Sequence, residues 1–194
     1  MNDQVRAVVL VEGVSDQVAL ETIARRRGRD LAAEGIAVVA MGGARNIGRN
    51  LARYGPGGLG LELAGLCDAG EEGEVRRGLE RAGLGVGQGR AGLEAAGFYV
   101  CVADLEDELI RGLGTAATER IIAAQGELRS FRTLQRQPAQ RDRSLSQQLH
   151  RFLGSGGGRK LRYARLLADA LDPLAVPRPL DRVLDRLGPR PAGR

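Results

Sequence analysis

The run VVLVEGVSDQVALETIA, Val8–Ala24, decides how the rest of the chain is read. Four apolar residues, Val8–Val11, lead straight into Glu12, and Asp16 follows four positions later. The apolar run has strand length and predicts a strand over Val5–Val11 that is buried on both faces. Ser15 is a good N-cap, and Leu20, Ile23 and Ala24 follow at helical spacing. Arg25–Arg27 and then Gly28 close the predicted helix. An acid in the first helical turn is favoured by the helix dipole, which is reason enough for Asp16. Glu12 has no such reason, and Gly13 beside it indicates a tight backbone path.

The pattern repeats downstream. Ile36–Met41 reads as a second strand, and Gly42-Gly43 turns the chain into a helix over ARNIGRNLARY. Leu61–Cys67 is a third strand, interrupted by Glu62 and ended by Asp68; Glu71–Ala82 is helical. Gly83–Gly92 reads as a loop, and Phe98–Val102 as a fourth strand leading into DLEDELIRGLG. From Thr115 onward only helical pattern remains. It is broken at RQPAQRD, at Gly154–Gly158 and in a proline-rich tail. No internal repeat is present. Short strands alternating with helices predict an α/β fold with a parallel sheet of about four strands flanked by helices, then a helical C-terminal extension. The expected division is an α/β core over 1–114, a helical part over 115–188 and a flexible tail over 189–194. In such sheets ligands bind outside the carboxyl ends of the strands. Glu12, Asp68 and Asp104 each fall there, so three strands deliver acids to one edge.

Composition narrows the chemistry. Apolar residues make up 43% of the chain and aromatics only 3%, so the core must be built from Leu, Val, Ala and Ile. Cys67 and Cys101 sit in apolar runs and read as buried, reduced thiols. With no signal pattern at the N-terminus and no apolar run near the ~20 residues of a membrane span, a cytoplasmic protein without a membrane is expected. Between Arg111 and Arg165 twelve basic residues face three acids, a net +9 within a total of +5. A basic limb on an acidic body suits a polyanion, although an arginine-rich composition alone would produce the same count. Lys160 is the sole lysine among 29 basic residues, and His150 the sole histidine. His150 reads as a surface helix residue.

Gathering Glu12, Asp16, Asp68, Asp104 and Glu106 has an electrostatic cost. Two carboxylates about 4 Å apart repel by roughly 1 kcal/mol in water and by more where the dielectric is lower. A divalent cation removes the conflict, and an all-carboxylate set suits Mg²⁺ or Mn²⁺. One His and two buried Cys do not furnish the usual zinc set. Taken singly, Asp104 and Glu106 at a helix start have structural readings, as do Glu71, Glu72 and Glu74. Glu71 or Glu72 is the candidate for an additional metal ligand. Magnesium at a sheet edge beside a basic limb points to phosphoryl transfer.

The segments EGVSDQVAL, VVAMGGARNI, FYVCVADLEDELI and GGGRKLRYARLLADAL, taken in order, resemble the Toprim domain of topoisomerases, primases and OLD (overcoming lysogenization defect) nucleases. The OLD group is the nearest likeness, over about Val5–Leu187. The resemblance implies a Mg²⁺-dependent nuclease, with Mn²⁺ as a substitute ion. Glu12 would bind metal or handle a proton, and Asp16, Asp68, Asp104 and Glu106 would bind metal. Lys160 would stabilise charge developing on the scissile phosphate, the use for which a compact ammonium is suited. Toprim proteins usually carry Asp-x-Asp where this chain has Asp68-Ala69-Gly70, so Glu71 or Glu72 is a replacement or one metal binds alone. OLD proteins carry an ATPase domain ahead of the nuclease. The chain opens at the first Toprim strand, so that domain is expected to be absent, and an ATPase or other protein acting in trans is a candidate partner that the sequence does not show to be required.

The expected function is therefore metal-dependent cleavage of phosphodiester bonds, with DNA as the leading substrate. Arg45, Arg159 and Arg162 are candidates for holding the nucleic-acid backbone. Nucleotidyl or other phosphoryl transfer on RNA or nucleotides is the rival enzyme reading. A non-catalytic nucleic-acid-binding or partner-docking module is the rival of another class. GSGGGRKL lacks the Gly-Lys-Ser/Thr ending of a P-loop and reads as a loop that lets Lys160 reach the site. The amides of Gly42–Asn46 form either a plain turn or a phosphate cradle.

Overall fold

The structure, a computed structural model, describes residues 5–155 and 158–188. The expected tail at 189–194 and two positions of the 154–158 glycine run lie outside these residues. Strand β1 (Ala7–Val11) is buried along its whole length. It runs parallel to β2 (Ile36–Ala40) on one side and β3 (Glu62–Cys67) on the other, and β3 pairs in parallel with β4 (Phe98–Val100). The order is β2-β1-β3-β4. A central strand covered on both faces has no polar side, which accounts for the uninterrupted run Ala7–Val11.

Alternate residues of β1 feed two cores. Val8 and Leu10 face Ile47 and Leu51 of α2 (Ile47–Tyr54), Val75 and Leu79 of α3 (Glu72–Arg81) and Leu93 of α4 (Gly89–Ala95). Ala7, Val9 and Val11 join the other core, with Leu20 and Ile23 of α1 (Val14–Arg26) and Leu109 of α5 (Leu105–Leu113). Ile122 of α6 (Thr115–Ala124), Phe131 of α7 (Leu128–Gln135), Phe152 of α8 (Leu145–Leu153), Tyr163 of α9 (Arg159–Ala170) and Val183 of α10 (Arg178–Arg186) belong to that same core. The C-terminal helices thus share their interior with one face of the sheet. No strand follows β4, and no helix is long and apolar enough to cross a membrane, among the described residues.

Several boundaries differ from the sequence reading, each for a local reason. Helix α1 is capped by Gly13, not Ser15, because the Asp16 carboxylate accepts the Gly13 N–H at 2.8 Å. β4 ends at Val100: beyond Cys101 the Val102 N–H donates to Glu108 Oε1 at 2.7 Å and leaves the ladder. The glycine-rich stretch is not all loop. α4 begins at Gly89, and Gly92 lies so close to Gly87 that a Cβ there would meet the Gly87 carbonyl at 1.9 Å. Cys67 and Cys101 are buried free thiols, as expected.

Three of the few aromatic side chains set the orientation of the C-terminal helices. Phe131 and Phe152 pack edge to face at 5.2 Å, and Phe152 and Tyr163 at 6.5 Å. The Tyr163 hydroxyl donates to Glu127 at 3.0 Å. This cluster ties α7, α8 and α9 together. It thereby fixes His150 on α8 and Lys160 in the first turn of α9.

Candidate metal centre

β1 and β3 are neighbours, as are β3 and β4, so their carboxyl ends open on one edge. Glu12 directly follows β1, Asp68 follows β3, and Asp104 caps α5, its Oδ1 accepting the Asp107 N–H at 2.9 Å. Asp16 enters from the buried first turn of α1. The path at Glu12 is held by the turn after β2. Gly42 and Gly43 donate their N–H groups to the Glu12 carbonyl at 2.9 and 3.1 Å. Both have positive φ, +75° and +109°, a region that L side chains rarely adopt. Those two amides are therefore spent on Glu12, and the Asn46 N–H on the Gly43 carbonyl at 3.1 Å, which supports the turn at Gly42–Asn46.

The side chains around this edge act on one another. Burial, then the charges of Asp16, Glu12 and Asp104, push the Asp68 carboxyl up to about 8, with Lys160 opposing. Burial also raises Asp16, eased by the Gly13 N–H and by Lys160. Glu106 is 4% exposed and raised by burial, eased by Lys160, whose Nζ lies 3.3 Å from Glu106 Oε2. Glu71 is pushed up to about 7 by burial and by the facing Glu12 carboxylate. Its buried Oε2 has no donor, so the Glu12–Glu71 pair needs a proton or a cation between them. Glu106 Oε1 is likewise buried without a partner.

Asp104 goes the other way. Burial would raise it, but hydrogen bonds from His150 and the Asp107 N–H, with the charges of His150 and Lys160, outweigh burial and lower it. His150 Nε2 donates to Asp104 Oδ2 at 2.6 Å, and that bond raises the imidazole above its usual range. His150 is thus not the plain surface residue expected. It reaches the acid edge because Leu149, Phe152 and Leu153 bury the other side of α8. The helical spacing of those apolar residues was the signal that would have located it at the margin of a buried face.

The expected residues divide accordingly. Asp104 and Glu106 share one group with His150, a ligating atom of each within 4.8 Å of the other two, and Lys160 pairs with Glu106. Glu12, Asp16, Asp68 and Glu71 lie near enough to act on one another's ionisation but join no such group among the described residues. Glu72 is taken instead by Arg90 at 3.1 Å and Arg76 at 3.9 Å. Arg159 and Arg162 are held by Glu127, Arg159 Nε at 3.1 Å, and stack over Phe152 and Tyr163. They brace α9, Arg159 partly buried and Arg162 still exposed to solvent. Arg45 is exposed beside the Gly42-Gly43 turn. Within the basic segment, Arg120, Arg129, Arg136, Arg141, Arg143, Arg151 and Arg165 are exposed and have no acidic partner among the described residues. A set of carboxylate oxygens, two of them buried without partners, beside one ammonium fits a hard divalent cation.

This parallel sheet with acids at the ends of β1 and β3 is a Toprim fold. Residues 5–69 match the family model described as "Overcoming lysogenization defect protein-like, TOPRIM domain". The fold over nearly the whole chain is that of the C-terminal region of OLD proteins. The region from Burkholderia pseudomallei is 20% identical with a TM-score of 0.70, covering 94% of this chain and 96% of that one. The region from Xanthomonas campestris pv. campestris is 23% identical with a TM-score of 0.70, covering 94% of each. The likeness drawn from the four sequence segments is therefore shown. No curated protein matches the chain.

Proposed function

We propose that the chain is a Mg²⁺- or Mn²⁺-dependent nuclease that hydrolyses phosphodiester bonds in DNA. The observation that carries this reading is the gathering of Glu12, Asp16, Asp68 and Glu106 opposite Lys160. Burial, then the charges of Asp16, Glu12 and Asp104, holds Asp68 up to about 8, and buried oxygens on Glu71 and Glu106 have no partners. Glu12, Asp16, Asp68, Asp104 and Glu106 would hold the ion, with Glu71 taking the place of the acid that Gly70 lacks. A divalent cation, when bound, supplies Lewis-acid charge at the phosphoryl oxygens and makes a nearby water more acidic. Lys160, its pKa raised because its acidic neighbours outweigh burial, stays protonated and offsets charge on the phosphate in the transition state. Glu12, at the strand end, accepts a proton from the attacking water. The division of labour follows the chain: residues 1–114 provide the acids, and residues 115–188 bring Lys160 and the exposed arginines. Those arginines hold the phosphate backbone without reading sequence. An ATPase or other partner acting in trans, in the cytoplasm, completes this reading.

Nicking of supercoiled plasmid with Mg²⁺, by the wild type and by Glu12→Ala and Lys160→Ala, tests it. Both variants are expected to lose nicking. If both nick as the wild type does, the assignment fails at these residues.

A further inference from the structure

We propose that His150 is a nitrogen ligand of the metal held by Asp104 and Glu106, and that this position prefers Mn²⁺ to Mg²⁺. This rests on the metal-binding reading above and goes beyond it in ligand and ion. One ligating atom each of Asp104, Glu106 and His150 lies within 4.8 Å of the other two. Atoms bound to one small cation at about 2.1 Å stand about 3–4 Å apart, so small side-chain rotations close the set. Glu106 is 4% exposed and its Oε1 has no partner, while Lys160 occupies only Oε2. Glu106 thus keeps one buried oxygen without a partner, on a carboxylate that lies beside an imidazole and a second carboxylate.

His150 Nε2 is engaged at 2.6 Å with Asp104 Oδ2 and is reached from solvent, its side chain being 42% exposed. A cation entering here replaces the proton shared between the two groups. Nε2 releases that proton to solvent and presents its lone pair to the metal, and Asp104 keeps its charge and becomes a ligand. Mg²⁺ is a hard cation of oxygen ligands, so an imidazole nitrogen adds little for it. Mn²⁺ opens the transition-metal series whose affinity for nitrogen-containing sites rises toward Cu²⁺, so it gains more. The other strand-end acids, Glu12, Asp16 and Asp68, present only oxygen. The nitrogen therefore distinguishes one half of the edge from the other.

The chain has a single histidine, so imidazole coupling to bound metal has one source. The protein, without a histidine tag, is loaded with Mn²⁺ and examined by electron spin-echo spectroscopy. Binding of Mn²⁺ and of Mg²⁺ is measured by calorimetry. The expected result is ¹⁴N coupling in the wild type that His150→Gln and His150→Ala both lose. Mn²⁺ binding tighter than Mg²⁺, with most of that gap closed by His150→Gln, accompanies it. Glutamine keeps a hydrogen bond to Asp104 but offers no ligating nitrogen, which separates coordination from positioning. Mn²⁺ bound with no ¹⁴N coupling overturns the inference and leaves the metal-binding reading standing. No binding of either ion overturns both.

Discussion

Replacing Asp68 with asparagine is expected to make the metal-free protein more stable at alkaline pH, although it removes a proposed metal ligand. In the folded chain Asp68 holds its proton up to about 8, against an ordinary 3.8. The unfolded chain releases that proton near pH 4, so between pH 4 and pH 8 the folded state binds the extra proton. Stability therefore falls as pH rises through that window. A shift of about 4 units corresponds to roughly 6 kcal/mol for a fully buried group. Asp68 is only partly buried, and solvent screening brings this to on the order of 2 kcal/mol. For a chain of this size that is about 4–8 °C in Tm. The assay is thermal unfolding in chelator at pH 5 and pH 8. The wild type should lose stability between the two pH values, and Asp68→Asn should lose much less and melt higher than the wild type at pH 8. Excess Mn²⁺ should then raise the wild type more than the variant. A variant that melts at or below the wild type at pH 8 in chelator, with the same pH slope, would refute the reasoning.

Lys160→Met removes the ammonium 3.3 Å from Glu106. It should lower plasmid nicking by about 10²–10³-fold while Mn²⁺ binding persists, as loss of a group acting on the transition state does; unchanged nicking contradicts its role. Phe152→Ala, at a 1% exposed position in the aromatic cluster, should cost about 3–5 kcal/mol in urea unfolding; a loss under about 1 kcal/mol would show that the cluster does not hold α8 and α9. Binding to duplex DNA should weaken steeply with salt, and Arg143→Ala or Arg151→Ala should each reduce the slope of log K against log salt by about 1. A salt-independent affinity removes the arginines from the interface.

The sheet and the acids at its edge were legible because both depend on local pattern. A strand buried on two faces has to be apolar throughout, and a charged residue at its end is conspicuous, as at Val11-Glu12 and Cys67-Asp68. Lys160 was legible through composition and likeness together. What was not legible depends on contacts across long stretches of sequence. His150 reaches Asp104 only because Phe131, Phe152 and Tyr163 fix α8, a geometry without a local signature. Arg159 and Arg162 looked free because Glu127, more than thirty positions away, is the group that holds them. Which of Glu71 and Glu72 turns inward was set by the short 3₁₀ turn at Ala69–Glu71 and by Arg90 taking Glu72. Ser15 was a reasonable cap by residue type, but the carboxylate of Asp16 reached the strand-end amide first.

The proposed function requires negative oxygens from separate parts of the chain to share a cation beside Lys160. Crystals grown with Mn²⁺ and measured for anomalous scattering put that to the most direct trial. Density is expected among Glu12, Asp68, Asp104 and Glu106, within reach of Lys160. Well-occupied manganese elsewhere on the molecule, with nothing among these side chains, would contradict it.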